Sequence, residues 1–375
     1  MRKKAFPILL AIVSGVFMAA CGNVNTVEEN SSLSKVEVES LDSTEEPNIV
    51  TYYTDNIEYL DNQSTIENSY IRDRITALNH YYIDDNNTLW GTGSNQYWQL
   101  GLKEGKDIND LAVDYIAPVK LAERIIHVDA SDKGFVIFLT EDHNLYGLGA
   151  NLCGVLRQPV VEWEELNPHL NIVGTPVLLM EDVTFAVAGC NSILSLTADG
   201  TAWWWGHFRS VTGTTKLDTL SSLEPKILAE NARYIACGSD FAAVIDKDNN
   251  LLTWGNNVWG QCGIDSGNDF ISKATIASKN IDMVWIECLS SRQNNEKLKV
   301  VKEYNPYGDI TYSYTMFVRT LDKTYYACGI DLGTEIKRVT FYGDMNIEDS
   351  DNKDEYTHSY SHQLIPVKIM DKQDS

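Results

Sequence analysis

The chain has 375 residues and a formal net charge of −23. So acidic a protein repels phosphate backbones, which excludes nucleic acid as a partner. Its seven cysteines show no C-x-x-C spacing, and the chain is too long for a disulfide-framed miniprotein.

Residues 1–20 read as an export signal. Arg2, Lys3 and Lys4 supply the positive end, and Ala5 to Val16 an apolar stretch too short to span a bilayer. Met18-Ala19-Ala20 then leads into Cys21, a run that resembles the bacterial lipobox with Met18 where leucine is usual. The resemblance implies that Cys21 is diacylated and becomes the new N-terminus. A plain secretory signal beside a chance cysteine is the alternative. Each buried CH2 contributes ~0.8 kcal/mol, so two or three acyl chains anchor a protein durably. Without the three cations of the signal the charge falls to −26. Residues 21–48 are rich in Asn, Ser, Glu, Thr and Asp and bury too little apolar surface to offset chain entropy. They are expected to form a disordered acidic linker, with one folded domain over 49–375.

Within that domain a short phrase recurs, a strand ending in an aromatic and then glycine. It appears at Leu89-Trp90-Gly91, Leu145-Tyr146-Gly147, Trp204-Trp205-Gly206, Thr253-Trp254-Gly255 and Tyr326-Ala327-Cys328-Gly329. Those glycines are 56, 59, 49 and 74 residues apart, the period of a copied supersecondary unit. The third copy shows the plan. Phe185 to Gly189 and Ile193 to Thr197 are apolar strands, Asp199-Gly200 is a hairpin signal, and Thr201 to Gly206 returns. Turns at Asp85-Asn86-Asn87, Asp142-His143-Asn144 and Asp248-Asn249-Asn250 repeat it, and Pro118-Val119, Pro176-Val177 and Pro225 open outer strands. Units are expected near 72–121, 122–180, 181–228, 229–280 and 281–370. Four-stranded sheets of this size must pack face to face, and radial packing yields an all-β propeller.

The run Trp90-Gly91-Thr92-Gly93-Ser94-Asn95 followed by Gln99-Leu100-Gly101 is similar to the repeat of the regulator of chromosome condensation family. So is Trp254-Gly255-Asn256-Asn257 with Gly260-Gln261-Cys262-Gly263. The resemblance covers residues 72–370, strongest in the first and fourth copies. Family members commonly have seven blades and this chain shows five copies, so the expected total is five to seven. The final Pro366-Val367 strand, with no repeat after it, is expected to close the ring by pairing with the N-terminal blade.

In the first copy Trp98 replaces the turn glycine of the family phrase, and Trp259 precedes that glycine in the fourth. Loops after these strands emerge on one face, so Tyr97, Trp98 and Trp259 are candidates for an aromatic recognition patch, against packing between blades. Trp163 and Arg157 in the long loop of the second copy are weaker candidates. Asp344 to Glu355 is acidic but lacks a calcium loop's glycine and helices, and is expected to be a solvated loop. His358 and His362 are expected on a surface loop rather than on zinc. Cys190 and Cys237 flank Gly189 and Gly238 at corresponding points of two copies and are expected to be small core residues. No G-x-S-x-G elbow or P-loop is present, and no catalytic residue, metal ligand or cofactor is expected.

The expectation is a lipid-anchored propeller on the outer side of a bacterial membrane that binds a protein. The resemblance supports an interaction platform, and secreted bacterial relatives extend this to inhibition of an extracellular enzyme. Binding of cell-wall glycan is the rival class, and a hydrolase with a dispersed site is the third.

Overall fold

The computed structural model describes residues 37–40, 50–54, 70–76, 79–101, 115–159, 171–209, 219–287, 315–330, 337–341 and 356–371. Two short strands come first, β1 (Glu37–Ser40) and β2 (Val50–Thr54). Sheet one holds β3 (Asp73–Ile75), β4 (Asn79–Ile83), β5 (Leu89–Gly93) and β6 (Tyr115–Ala122). Sheet two holds β7 (Ile125–Ser131), β8 (Phe135–Thr140), β9 (Leu145–Ala150) and β10 (Ile172–Met180). Sheet three holds β11 (Val183–Ala188), β12 (Asn191–Thr197), β13 (Ala202–Arg209) and β14 (Thr219–Ala229). Sheet four holds β15 (Ala232–Cys237), β16 (Phe241–Asp246), β17 (Leu251–Asn256) and β18 (Phe270–Ser278). Sheet five holds β19 (Ile281–Glu287), β20 (Thr315–Thr320), β21 (Tyr325–Ile330), β22 (Lys337–Phe341) and β23 (Tyr356–Asp371).

The first four sheets are antiparallel in chain order, and the fifth is extended to seven strands by β1, β2 and β22. The fold is all-β, with the blades of a propeller. Each sheet buries a face against the next. Four separate cores lie between sheets one and two, two and three, three and four, and four and five. First strands make these contacts and outer strands carry the exposed apolar residues Leu178, Ile227 and Ile276, so the first strands lie innermost.

The second-to-third turns all reverse through one left-handed residue: Asn87, His143, Gly200, Asn249 and Lys323. In that conformation the carbonyl points away from its own sheet. It accepts the first N–H of the following sheet, from Ile125 to Asn87 (2.8 Å), Val183 to His143 (2.9 Å), Ala232 to Gly200 (2.7 Å) and Ile281 to Asn249 (2.9 Å). Each hairpin therefore latches its neighbour, with about 1 kcal/mol per bond.

The structure sets the repeat register differently from the spelled phrase. Gly93, Gly149, Gly206, Gly255 and Gly329 all have φ between 95° and 109° and occupy one equivalent position. A Cβ on Gly149, Gly206 or Gly255 would lie 2.3 to 2.5 Å from a backbone oxygen beside the second strand of its own sheet. Only glycine fits there. In copies one and two the aromatic glycines at 91 and 147 thus stand two residues early.

In every sheet the outer strand has one break in its ladder where three residues stand opposite one. These are 116–118 against Thr92, 174–176 against Leu148, 223–225 against Trp205, 272–274 against Trp254 and 362–364 against Cys328. Pro118, Pro176 and Pro225 lie inside these bulges, where a missing N–H costs no ladder bond.

Three expectations need correction at the chain ends. The Pro366-Val367 strand is the outer strand of sheet five, paired with β21, and not a partner of sheet one. β2 lies parallel along it, Val50 opposite Val367, so the N-terminal segment joins the last sheet. Glu37–Ser40, inside the expected disordered linker, pairs with β22. His358 and His362 lie on β23 rather than on a loop. Cys21, Trp163 and residues 344–355 lie outside the described residues.

Candidate functional site: the loop face

Alternating strand direction sorts the connections onto two faces. The latching hairpins and the links between sheets lie on one. First-to-second turns and third-to-fourth connections leave from the other, including the described residues 94–101, 151–159 and 257–269. The second face carries Tyr97, Trp98, Arg157 and Trp259.

Three of its connections begin with a hook built on asparagine. Asn95 Oδ1 accepts Leu100 N–H at 2.8 Å, Asn151 Oδ1 accepts Leu156 N–H at 2.8 Å, and Asn257 Oδ1 accepts Cys262 N–H at 3.1 Å. The amide nitrogens donate onward to Gly101 O, Gln158 O and Ile264 O. All three asparagines are buried. Glutamine completes two hooks, with Gln99 Oε1 accepting Tyr97 N–H at 2.8 Å and Gln261 Oε1 accepting Trp259 N–H at 2.9 Å. The hook needs two left-handed residues, supplied by Trp98 (φ 55°), Gly154 and Gly260 at the first turn and Gly101, Arg157 (φ 55°) and Gly263 at the second.

Each hook packs on the following sheet. The Tyr97 ring covers Gly134 of sheet two so closely that an added Cβ would lie 2.3 Å from it. Val155 O accepts the indole N–H of Trp205 in sheet three at 2.8 Å. Gly263 faces Met316, Cys328 and Leu364 of sheet five. The hooks therefore fill the seams between blades.

This decides where the sequence candidates stand. Trp98 is 2% exposed and presents no ring to a partner. Its place in an exposed patch is corrected: a large apolar side chain in a seam outweighs the ~1–2 kcal/mol that a non-glycine residue costs at left-handed φ. Arg157 is half-buried, bonded to Leu179 O and paired with Glu224 Oε2 of sheet three at 2.6 Å, so it ties two blades. Tyr97 and Trp259 occupy equivalent hook positions and are half-buried, with burial raising the Tyr97 phenol above its ordinary range. Cys153 holds the same position in the second hook and is disulfide-bonded.

Sequence reasoning missed the polar centre beneath this face. His127 on the innermost strand of sheet two is fully buried. Its Nδ1 accepts Ile71 N–H at 2.9 Å, which leaves the proton on Nε2 to donate to Ala186 O at 2.6 Å. The ring is thus neutral, and burial lowers its pKa despite nearby Asp129. Asp129 pairs with Arg74 of sheet one at 2.8 Å and accepts Ala188 N–H of sheet three at 2.9 Å. A lone histidine and aspartate in apolar strands were the signal. Among the described residues no three His, Cys, Asp or Glu side chains converge as a metal site requires.

Residues 233–263, which run from β15 through the fourth hook, match the model of the regulator of chromosome condensation (RCC1) repeat. The chain carries the RCC1 repeat. It is similar to the secretion-regulating guanine nucleotide exchange factor of Bos taurus, with 29% identity over 48% of this chain and 39% of that protein. The human regulator of chromosome condensation is 28% identical over 46% of this chain and 39% of its own length. The matched part spans about two fifths of these relatives. Among solved structures, yeast RCC1 (Prp20) bound to Kap60 aligns with a TM-score of 0.50 at 17% identity, covering 79% of this chain and 63% of that one. Prp20p from Saccharomyces cerevisiae aligns at 0.51 and 15%, covering 80% and 63%. The fold is that of RCC1 propellers. The named relatives are exchange factors and regulators, not hydrolases.

Proposed function

We propose that this RCC1-repeat propeller binds a protein partner through its loop face while tethered by a lipid on Cys21 outside the cytoplasm. The observation that carries the reading is the segregation of connections. Among the described residues the three hooks leave one face, and the opposite face carries the tight hairpins and the short links between sheets. A rigid disk with variable loops on one side suits recognition of another macromolecule. The yeast relative was crystallised bound to Kap60, which favours a protein as partner. The run ending at Cys21 favours lipid attachment, and the Cys153 disulfide fits an oxidising compartment. Exchange activity is not carried over, because an export signal and a charge of −23 both oppose it.

Cross-linking and capture from intact cells test this, comparing wild type with Tyr97→Ala/Trp259→Ala. One dominant protein captured by the wild type and reduced at least about tenfold by the double variant supports the reading, as one lost anchor of 1.4 kcal/mol would produce. Recovery of cell-wall fragments instead moves the reading to glycan binding. Cys21→Ser should release a folded protein from membranes, and its retention there overturns the lipid tether.

A further inference from the structure

We propose that Cys190 and Cys237 form a disulfide across the seam between sheets three and four when the protein meets a low-molecular-weight disulfide. Cys190 lies in the turn after β11, and Cys237 ends β15 on the neighbouring sheet. The Cys237 Sγ lies 2.7 Å from where a Cβ on Gly189 would sit, so it touches the residue next to Cys190. It also lies 3.8 Å from Ser192 Oγ on the far side of the same turn. Cys190 N–H donates to Ser239 O at 3.3 Å, which pins its main chain two residues beyond Cys237. A disulfide needs Cα atoms about 4.4–6.8 Å apart, so closing the pair calls on a side-chain rotation and a shift of the turn.

Access distinguishes this pair from the other two thiols. Cys190 and Cys237 are half-buried, whereas Cys262 and Cys328, which also approach one another across the next seam, are sealed in the core of sheets four and five. Burial raises the Cys237 thiol, which favours Cys190 as the first to react. The Cys190 thiolate attacks one sulfur of the oxidant RSSR, giving a mixed disulfide and RS⁻. The Cys237 sulfur then attacks the Cys190 sulfur and expels the second RS⁻. The two thiol protons end on two RSH, so two cysteines are oxidised and one RSSR is reduced. An oxidising compartment, as in the function proposed above, would supply such an oxidant, but the chemistry does not depend on the partner.

The test uses purified full-length protein incubated with oxidised glutathione, alkylated, digested and read by mass spectrometry. The expected product is a peptide linked through Cys190 and Cys237, with Cys262 and Cys328 alkylated only after unfolding. The melting temperature should rise by about 5 °C, reverting with reductant and absent in Cys190→Ser. Recovery of both residues as separate alkylated thiols overturns the proposal. So does a stable glutathione adduct on Cys190 without the link, or a Cys262–Cys328 link in its place. No partner is present, so failure here leaves the binding reading standing, and failed capture from cells leaves the disulfide standing.

Discussion

The seams on either side of sheet three are built from different chemistry. Toward sheet two the joint is polar at its centre, through His127, Asp129 and the Ser131 hydroxyl on Cys190 O, and a hook closes it with the Val155–Trp205 bond. Toward sheet four the joint is aromatic. Trp204, Phe208 and Trp254 meet with centroids 4.4 to 5.8 Å apart, and Phe185 stacks on Tyr234. One equivalent position differs in the residue it carries. Phe208 stands where Asn95, Asn151 and Asn257 begin the hooks, two residues after the equivalent glycine. There β13 runs on to Arg209, and its ladder continues with β14 through Arg209 opposite Thr219. A propeller seam can therefore be filled by a folded-back loop or by rings.

The largest test of that equivalence is Phe208→Asn. It removes a fully buried ring and inserts an amide with no partners, and should cost about 4 kcal/mol without creating a hook. A loss under 1 kcal/mol in thermal or denaturant unfolding would mean the third copy can still fold its loop back. Next is Asn257→Ala. It strands the Cys262 N–H and the carbonyls of Ile264 and Asn268, and should cost about 3 kcal/mol by the same measurement. The smallest effect separates the seams by pH. The folded pKa of His127 is lowered from 6.5, so its contribution is complete above that value. Below it the unfolded chain binds a proton that the folded one refuses. Stability then falls by at most about 1.4 kcal/mol per pH unit until the lowered pKa is passed. Denaturation midpoints between pH 7 and pH 5 should show this loss in wild type and not in a folded His127→Gln variant.

Much of the architecture was legible because repeats state the same local rule several times. The Asp and Asn turns and the apolar strands of the first four sheets fall where the pattern places them. Less legible was anything settled by neighbours across a seam. For Trp98 the sequence leaves an exposed patch and packing between blades both open, and only its burial in the folded chain decides for packing. Cys190 and Cys237 read as equivalent, yet the registers make Cys237 the counterpart of Ala188 and Cys190 that of Ser239. The strands β1 and β2 lie in a stretch too polar to announce themselves, since added edge strands need backbone partners more than apolar side chains.

The three-for-one bulge in every outer strand has an evolutionary consequence. It uncouples the register of the rim from that of the inner strands, so residues there answer to no ladder partner. Proline in three copies, Ala274 in the fourth and Leu364 in the fifth have drifted at one equivalent point without disturbing the paired strands around it. Length changes in the loops that precede it can be absorbed at the rim in the same way, which leaves the paired strands intact while the loop face varies.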